Sequence, residues 1–196
     1  MSPIELSILV SRVESICQEM GMVLRQAAFS PNIKDRLDFS CALFDSCGEL
    51  FAQAAHIPVH LGSMAYAMRD IVADITWQDG DVLAVNDPFL GGTHLPDVTI
   101  ISPLFINGNL LAFVTNRAHH ANIGADSPGS MPISKHIEEE GLLIPPTKLV
   151  DAGTVVASEM AKLGALGGAD AGGDFAAQMS ANKIGVDRLS DLIARL

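Results

Sequence analysis

The stretch VTIISPLFINGNLLAFVTN, residues 98–116, predicts the feature around which the rest of the chain folds. Two runs rich in β-branched and aromatic residues, Val98–Ile106 and Leu110–Asn116, flank Asn107-Gly108, a dipeptide that strongly favours a β-hairpin turn. Asp97 and His119 should therefore meet at the open end of this hairpin. A three-residue turn places Asp97 directly opposite His119, whereas a two-residue turn places it one residue out of register.

His94 brings a second imidazole to the same place, because it precedes Asp97 by only three residues and Pro96 stiffens the connection. Two imidazoles and one carboxylate suit Mn(II), Fe(II) or Zn(II), and three protein ligands leave positions open for water or substrate. The same groups could instead form a hydrogen-bonded structural cluster. Gly91-Gly92, just before them, fits either close approach of a substrate to the backbone or a tight turn.

Outward from the hairpin, the N-terminus predicts a long helix. Ser2 is placed to cap it, Pro3 suits its first turn, and Glu5 completes a capping box. An apolar stripe at alternating spacings of three and four residues then gives it one buried face. The stripe comprises Leu6, Val10, Val13, Cys17, Met20, Leu24 and Ala27.

Strands and a second helix follow before the hairpin. The patterns predict strands over Phe39–Phe44, Leu50–Ala54 and Val82–Val85, and a helix capped by Ser63. The predicted fold class is α+β, with the long N-terminal helix packed on a mixed or antiparallel sheet that contains β-hairpins.

The C-terminal part is predicted to differ from the rest. Residues 1–162 are expected to form one domain that carries the metal site. Leu163–Gly173 is rich in glycine and alanine and resembles a linker, and an amphipathic helix follows it. We therefore expect residues 163–196 to be a linker-like segment and a terminal helix, at the start of a region that continues in a longer protein.

Composition narrows the function classes. The net charge of −11, from 12 basic and 23 acidic residues, disfavours nucleic-acid binding. No apolar run is long enough to span a membrane. Three cysteines without metal-finger spacing favour a reduced, cytoplasmic protein.

Several motifs are absent or ambiguous. The sequence has no Walker A motif, no dinucleotide fingerprint and no nucleophile elbow, so any ATP is expected to bind another chain. His56 and His60 are more often structural than ligands at such loop positions. Asp38 fits either a surface acid or a site carboxylate, and Glu138–Glu140 fits either a solvated charge run or a cleft wall.

Five blocks of the sequence resemble the hydantoinase B/oxoprolinase family, in the family's order and over essentially the whole chain. They are residues 30–44 (SPNIKDRLDFSCALF), 56–64 (HIPVHLGSM), 91–97 (GGTHLPD), 117–124 (RAHHANIG) and 128–132 (PGSMP). Family members include 5-oxoprolinase, N-methylhydantoinase, caprolactamase, and acetone and acetophenone carboxylases. Because B-type subunits are far longer, the chain corresponds to their N-terminal third.

The resemblance implies a division of labour between two subunits. A hydantoinase A-type partner would bind ATP and phosphorylate the substrate, and the B-type subunit would complete the reaction in a hetero-oligomer. Matching positions imply that His94, Asp97 and His119 hold a divalent metal ion. His120 would either support these ligands from behind or carry protons, and Asp38 and Glu140 would be further catalytic candidates.

Three functions remain open from the sequence. The leading expectation is ATP-dependent opening of a lactam, hydantoin or 5-oxoproline ring, a hydrolysis of a C–N bond. The second is ATP-dependent carboxylation of a ketone. The third is a truncated, non-catalytic interaction module.

Overall fold

The fold is an α+β arrangement of one seven-stranded antiparallel sheet between helices, as predicted. This computed structural model describes residues 2–54, 57–125 and 133–195. The helices are α1 (Pro3–Ala27), α2 (Pro31–Lys34), α3 (Pro58–Asp74) and α4 (Ala157–Ile193). The strands are β1 (Phe39–Asp45), β2 (Leu50–Ala54), β3 (Val82–Val85), β4 (Asp97–Ile106), β5 (Asn109–His119), β6 (Thr147–Asp151) and β7 (Thr154–Val155).

The sheet has helices on both faces. Its strand order is β2-β1-β5-β4-β3-β6-β7, with every neighbouring pair antiparallel. Helices α1 and α4 pack on one face and α3 packs on the other. Central strands are consequently buried on both sides: Leu43 of β1 belongs to the α1/α4 core and its neighbour Phe44 to the α3 core.

Helix α1 begins as the sequence predicts. The Ser2 hydroxyl accepts a hydrogen bond from the Glu5 backbone N–H, and the Glu5 carboxylate accepts one from the Ser2 N–H. The middle of the apolar stripe, from Val13 to Leu24, is buried, whereas Leu6, Val10 and Ala27 at its two ends are exposed.

The hairpin of β4 and β5 combines the two predicted registers. Asn107 and Gly108 form a two-residue turn in which both residues have positive φ, and Ile106 pairs with Asn109. The three-residue turn is therefore wrong. A β-bulge at Leu111 then shifts the pairing by one residue, so Asp97 nevertheless lies opposite His119.

Helix α3 begins six residues earlier than predicted. Ser63 does not cap it; the helix starts at Pro58, and Ile57 is its N-cap residue. Proline is favoured in the first turn because its fixed φ suits a helix and its missing N–H would have no partner there. His60, expected in a loop, is consequently on the first turn of α3 and buried.

The linker prediction for Leu163–Gly173 is wrong, because helix α4 runs without interruption from Ala157 to Ile193. Alanine favours helix, and Gly173 permits close packing. A Cβ on Gly173 would lie 2.3 Å from the Phe29 ring. The expected division at residue 162 falls inside this helix and stays a prediction.

Two further features concern the cellular setting. None of the helices in the described part of the chain is long and apolar enough to cross a membrane. All three cysteines are free thiols, and burial raises the pKa of Cys17 to about 12. A cytoplasmic location stays a prediction.

Candidate metal centre

Three side chains converge at the open end of the β4–β5 hairpin: His94, Asp97 and His119, hereafter the triad. Asp97 Oδ1 lies 3.0 Å from His94 Nε2 and 3.0 Å from His119 Nδ1, and the two nitrogens are 3.1 Å apart. Asp97 and His119 are buried, whereas the His94 side chain is 32% exposed. The predicted convergence is confirmed, and His94 forms its solvent-facing side.

The triangle of ligand atoms is small enough for all three atoms to bind one metal ion. Metal–ligand bonds of about 2.1 Å separate neighbouring ligand atoms by about 3.0 Å in an octahedron and about 3.4 Å in a tetrahedron. The observed edges of 3.0, 3.0 and 3.1 Å match one octahedral face. Two imidazoles and one carboxylate on such a face are the ligand set of non-haem iron and similar divalent sites.

The two oxygens of Asp97 have different neighbours. Oδ1 faces the two triad imidazoles. Oδ2 accepts a hydrogen bond from the Thr93 hydroxyl and lies 3.4 Å from His60 Nε2. Because the Thr93 hydroxyl and His60 contact Oδ2, Oδ1 is the oxygen that belongs to the triangle of ligand atoms.

These contacts set the charge of the cluster. Burial raises the pKa of Asp97, but hydrogen bonds from His119, His60, His94 and Thr93 outweigh it and hold that pKa well below its usual value. The hydrogen bond to Asp97 raises the pKa of His94. The carboxylate is therefore ionised throughout the physiological pH range, as a metal ligand must be.

Asp38 lies at the edge of the triad. Its side chain is 28% exposed, and its Oδ2 is 3.7 Å from His119 Nδ1. Its backbone carbonyl accepts a hydrogen bond of 3.0 Å from the His119 N–H. Of the two interpretations of Asp38, the site carboxylate is the one that its position supports, because it is beside the triad and open to solvent.

Glu140 is farther away. It ends a short 3₁₀ helix, Ile137–Glu140, and is partly buried. Its charge contributes to raising the pKa of His94, which places it within electrostatic range of the triad. Its catalytic role stays a prediction.

His120 lies on the other face of the sheet from the triad. It follows β5 directly, so its side chain points towards α4 while that of His119 points towards α3. The ring is buried, contacts Phe175, and has Nε2 2.8 Å from Gln178 Oε1. Burial lowers the pKa of His120. This position fits a supporting residue better than a proton carrier, since the described residues give its Nδ1 no partner.

Three buried side-chain amides, those of Asn182, Asn116 and Gln178, form a hydrogen-bonded ladder that ends at His120. Asn182 Nδ2 donates to the carbonyls of Ile100 and Val114, so Asn182 Oδ1 must accept from Asn116 Nδ2. Asn116 Oδ1 in turn accepts from Gln178 Nε2, which also donates to the Val98 carbonyl. Gln178 therefore presents its oxygen to His120, and His120 Nε2 carries the hydrogen.

Arg117 is a buried residue to which sequence reasoning assigned no separate role. Its guanidinium donates to the Thr99 hydroxyl, the Ser63 hydroxyl and the Gly91 carbonyl. Burial lowers its pKa to about 10. The side chain ties β4, α3 and the loop before His94 together, immediately behind the triad.

The glycine pair before His94 is required by packing. Gly91 has φ +80°, and a Cβ there would lie 2.5 Å from that of Ala67 in α3. A Cβ on Gly92 would lie 2.6 Å from the Asp87 carbonyl oxygen. Of the two interpretations, the tight turn is therefore the one the structure supports.

His60 is the site residue that the sequence analysis missed, since histidines at its position were expected to be structural. The available signal was Pro58, interpreted as the first residue of a helix, because it places His60 on the first turn and facing the sheet. His56 and the block 128–132 lie outside the described residues.

Known proteins resemble this chain over nearly its whole length. The hydantoinase B/oxoprolinase family model matches residues 2–196. The chain is 40% identical to 5-oxoprolinase 1 of Arabidopsis thaliana and 42% identical to 5-oxoprolinase of Dictyostelium discoideum, over 97% and 98% of this chain. Each alignment covers 16% of the relative.

Two solved structures share the fold. The ATP-dependent caprolactamase of Pseudomonas jessenii superposes with a TM-score of 0.89 at 32% identity, over 100% of this chain and 34% of that one. An acetone carboxylase superposes equally well, with a TM-score of 0.89 at 20% identity, over 99% of this chain and 26% of that one, which shows a common fold. The chain spans about a third or less of the length of these proteins, and it belongs to the hydantoinase B/oxoprolinase family.

Proposed function

We propose that this chain forms the metal-binding part of an ATP-dependent cyclic amide hydrolase, acting on a lactam, hydantoin or 5-oxoproline ring. The observation that carries the proposal is the triangle of His94 Nε2, Asp97 Oδ1 and His119 Nδ1, a ligand set that suits Mn(II), Fe(II) or Zn(II).

The chemistry of amides explains why such a site would be needed. An amide resists attack because resonance strengthens its C–N bond. Phosphorylation of the amide oxygen by a hydantoinase A-type partner that binds ATP would remove this resonance. A bound metal ion would supply a water molecule of lowered pKa and polarise the carbon under attack.

The chain's own residues have separate tasks in this proposal. The triad would hold the ion through two neutral imidazoles and one ionised carboxylate. Asp38 would accept the proton from the attacking water, because it is ionisable, partly exposed and 3.7 Å from a triad nitrogen. Glu140 would add negative charge on the His94 side, and His120 would support the strand end that carries His119.

The relatives favour hydrolysis over ketone carboxylation. Proteins named for lactam substrates are 32% and 40% identical to this chain, whereas the acetone carboxylase is 20% identical. Turnover that depends on bicarbonate and a ketone would instead support the carboxylase.

The decisive test combines metal analysis with an activity assay. We expect near-stoichiometric Mn, Fe or Zn in the purified chain by plasma mass spectrometry, and its loss in Asp97→Asn, which keeps the shape of the side chain but removes its charge. His136→Ala is the matched control, because His136 is exposed and outside the triad.

The same variants are then assayed with an A-type partner, ATP and 5-oxoproline or caprolactam. Loss of ring opening in Asp97→Asn, but not in the control, supports the proposal. Unchanged turnover in Asp97→Asn contradicts the metal's role. A metal-free chain that still binds the partner would support the interaction module.

A further inference from the structure

We propose that Asn86 is a positioning residue for the metal centre, because it holds the loop that carries His94 against the segment that carries Glu140. The inference rests on the proposed metal centre. Asp97 and His119 are paired strand residues, whereas His94 lies in the loop before β4. Contacts outside the sheet must therefore determine where the His94 imidazole stands.

Both N–H groups and the oxygen of the Asn86 side-chain amide have backbone partners. Asn86 follows β3 directly and is 1% exposed. Its Nδ2 donates to the carbonyls of Leu95 and Leu142, at 2.7 and 2.9 Å. Its Oδ1 accepts a hydrogen bond of 2.6 Å from the Ile144 N–H. Because carbonyls only accept and an N–H only donates, these partners also decide which way the amide faces.

The partners of Asn86 lie next to two residues of the candidate site. Leu95 directly follows His94, and Leu142 is two residues after Glu140. The negative charge of Glu140 contributes to raising the pKa of His94, so the two side chains are within electrostatic range of each other. One buried amide therefore sets the spacing between the loop of His94 and the segment of Glu140.

The segment that follows Glu140 is itself fixed in place. Gly141 has φ +132°, and a Cβ there would lie 2.6 Å from Ile123 Cγ2. The Leu142 N–H donates to the Ile123 carbonyl at 2.8 Å. This segment is a fixed support, to which Asn86 connects the loop before β4.

Asn182, in α4, provides a matched control. It too is a fully buried asparagine, and its Nδ2 donates to the backbone carbonyls of Ile100 and Val114. Both carbonyls belong to the interior of β4 and β5, away from the hairpin end that carries the triad. Loss of either amide leaves buried groups unpaired, but only loss of the Asn86 amide releases backbone next to a proposed ligand.

The test compares Asn86→Leu with Asn182→Leu, since each change replaces a buried amide by an apolar group of similar size. We expect Asn86→Leu to lower Co(II) affinity by about 10- to 100-fold and to change the visible absorption spectrum of bound Co(II), because His94 moves. Asn182→Leu should keep Co(II) affinity within about threefold of wild type and leave the spectrum unchanged, although both variants unfold at a lower temperature.

Hydrogen exchange of the metal-free chain provides a second readout, which does not depend on a metal. Relative to the rest of the chain, residues 91–97 and 141–144 should exchange faster in Asn86→Leu than in wild type, and no faster in Asn182→Leu. Asn86→Ser is measured alongside, because it leaves room for water at the backbone partners if leucine prevents folding.

The outcomes separate this inference from the proposed function. If the Asn86 variants match wild type in Co(II) affinity and spectrum, or if Asn182→Leu loses as much affinity as they do, Asn86 has no positioning role and the inference is overturned. If wild type binds no Co(II), Mn(II), Fe(II) or Zn(II), the metal centre itself is wrong and the inference fails with it. Faster exchange confined to the Asn86 variants would then show that this amide holds the loop for another purpose.

Discussion

On the α3 face of the sheet, the ionisable side chains of the triad contact one another at the open end of the β4–β5 hairpin. His94 is the triad residue that is partly exposed to solvent. On the α4 face, one residue further along the chain, His120 contacts the Phe175 ring and the Gln178 amide. The amides of this ladder donate mostly to main-chain carbonyls. Neighbouring histidines thus have opposite surroundings, because strand side chains alternate between faces.

This difference shows that residue type alone does not indicate a site. Asp97 presents an ionised oxygen to two imidazoles, and these three groups are the basis of the proposed metal centre. In the amide ladder, each donor points at an acceptor. The first arrangement suits ligand binding, and the second stabilises the fold and holds the sheet to α4.

The largest expected effect comes from removing each of the two neighbouring histidines in turn. We expect His119→Ala to lower metal affinity more than about 100-fold, because it removes a proposed ligand. His120→Ala should keep metal affinity within about tenfold but lower the free energy of unfolding by about 2–4 kcal/mol, because it leaves a buried cavity and an unpaired Gln178 oxygen.

Metal titration and urea unfolding of both variants provide the measurement. Equal loss of metal affinity in the two variants would contradict the comparison and move His120 into the site.

A smaller effect is expected from breaking the ladder farther from the triad. Asn182→Leu removes donors to the Ile100 and Val114 carbonyls and an acceptor for Asn116. We expect a loss of about 2–3 kcal/mol in unfolding free energy, since buried polar groups lose their partners. Metal affinity should not change. Ser180→Ala, at an exposed position of α4, is the control and should have an effect below about 0.5 kcal/mol.

The smallest effect concerns Asp81, a buried carboxylate that lies outside the candidate metal centre. Burial raises its pKa, but hydrogen bonds from the Ala152 and Gln78 N–H groups and from Lys148 outweigh burial, so the net shift is downward. Because the folded pKa is below the unfolded one, this carboxylate stabilises the fold above pH 3.8, and the stabilisation disappears as the pH falls below that value.

Asp81→Asn should therefore cost about 1–2 kcal/mol at pH 7. The difference from wild type should shrink as the pH falls below about 4. Urea unfolding across pH 3–7 measures it. A difference independent of pH would mean that shape, not charge, is what Asp81 contributes.

Local patterns in the sequence predicted a substantial part of this structure. The capping box of Ser2 and Glu5 and the bounds of β2 and β3 follow from residue chemistry within a few positions. Predictions failed where a distant contact competed with a local signal. Gly173 of the expected linker packs closely against Phe29 within helix α4, and the bulge at Leu111 restores a register that the turn alone would have shifted.

For the candidate site, the sequence by itself determined that His94, Asp97 and His119 would meet, because a tight turn and two-residue periodicity bring strand ends together. Only the tertiary structure decided that His60 faces both Asp97 and Asp38, and that His120 is enclosed by α4. These contacts join elements that are far apart in the chain. Their geometry depends on how the helices pack on each face of the sheet, which no local pattern specifies.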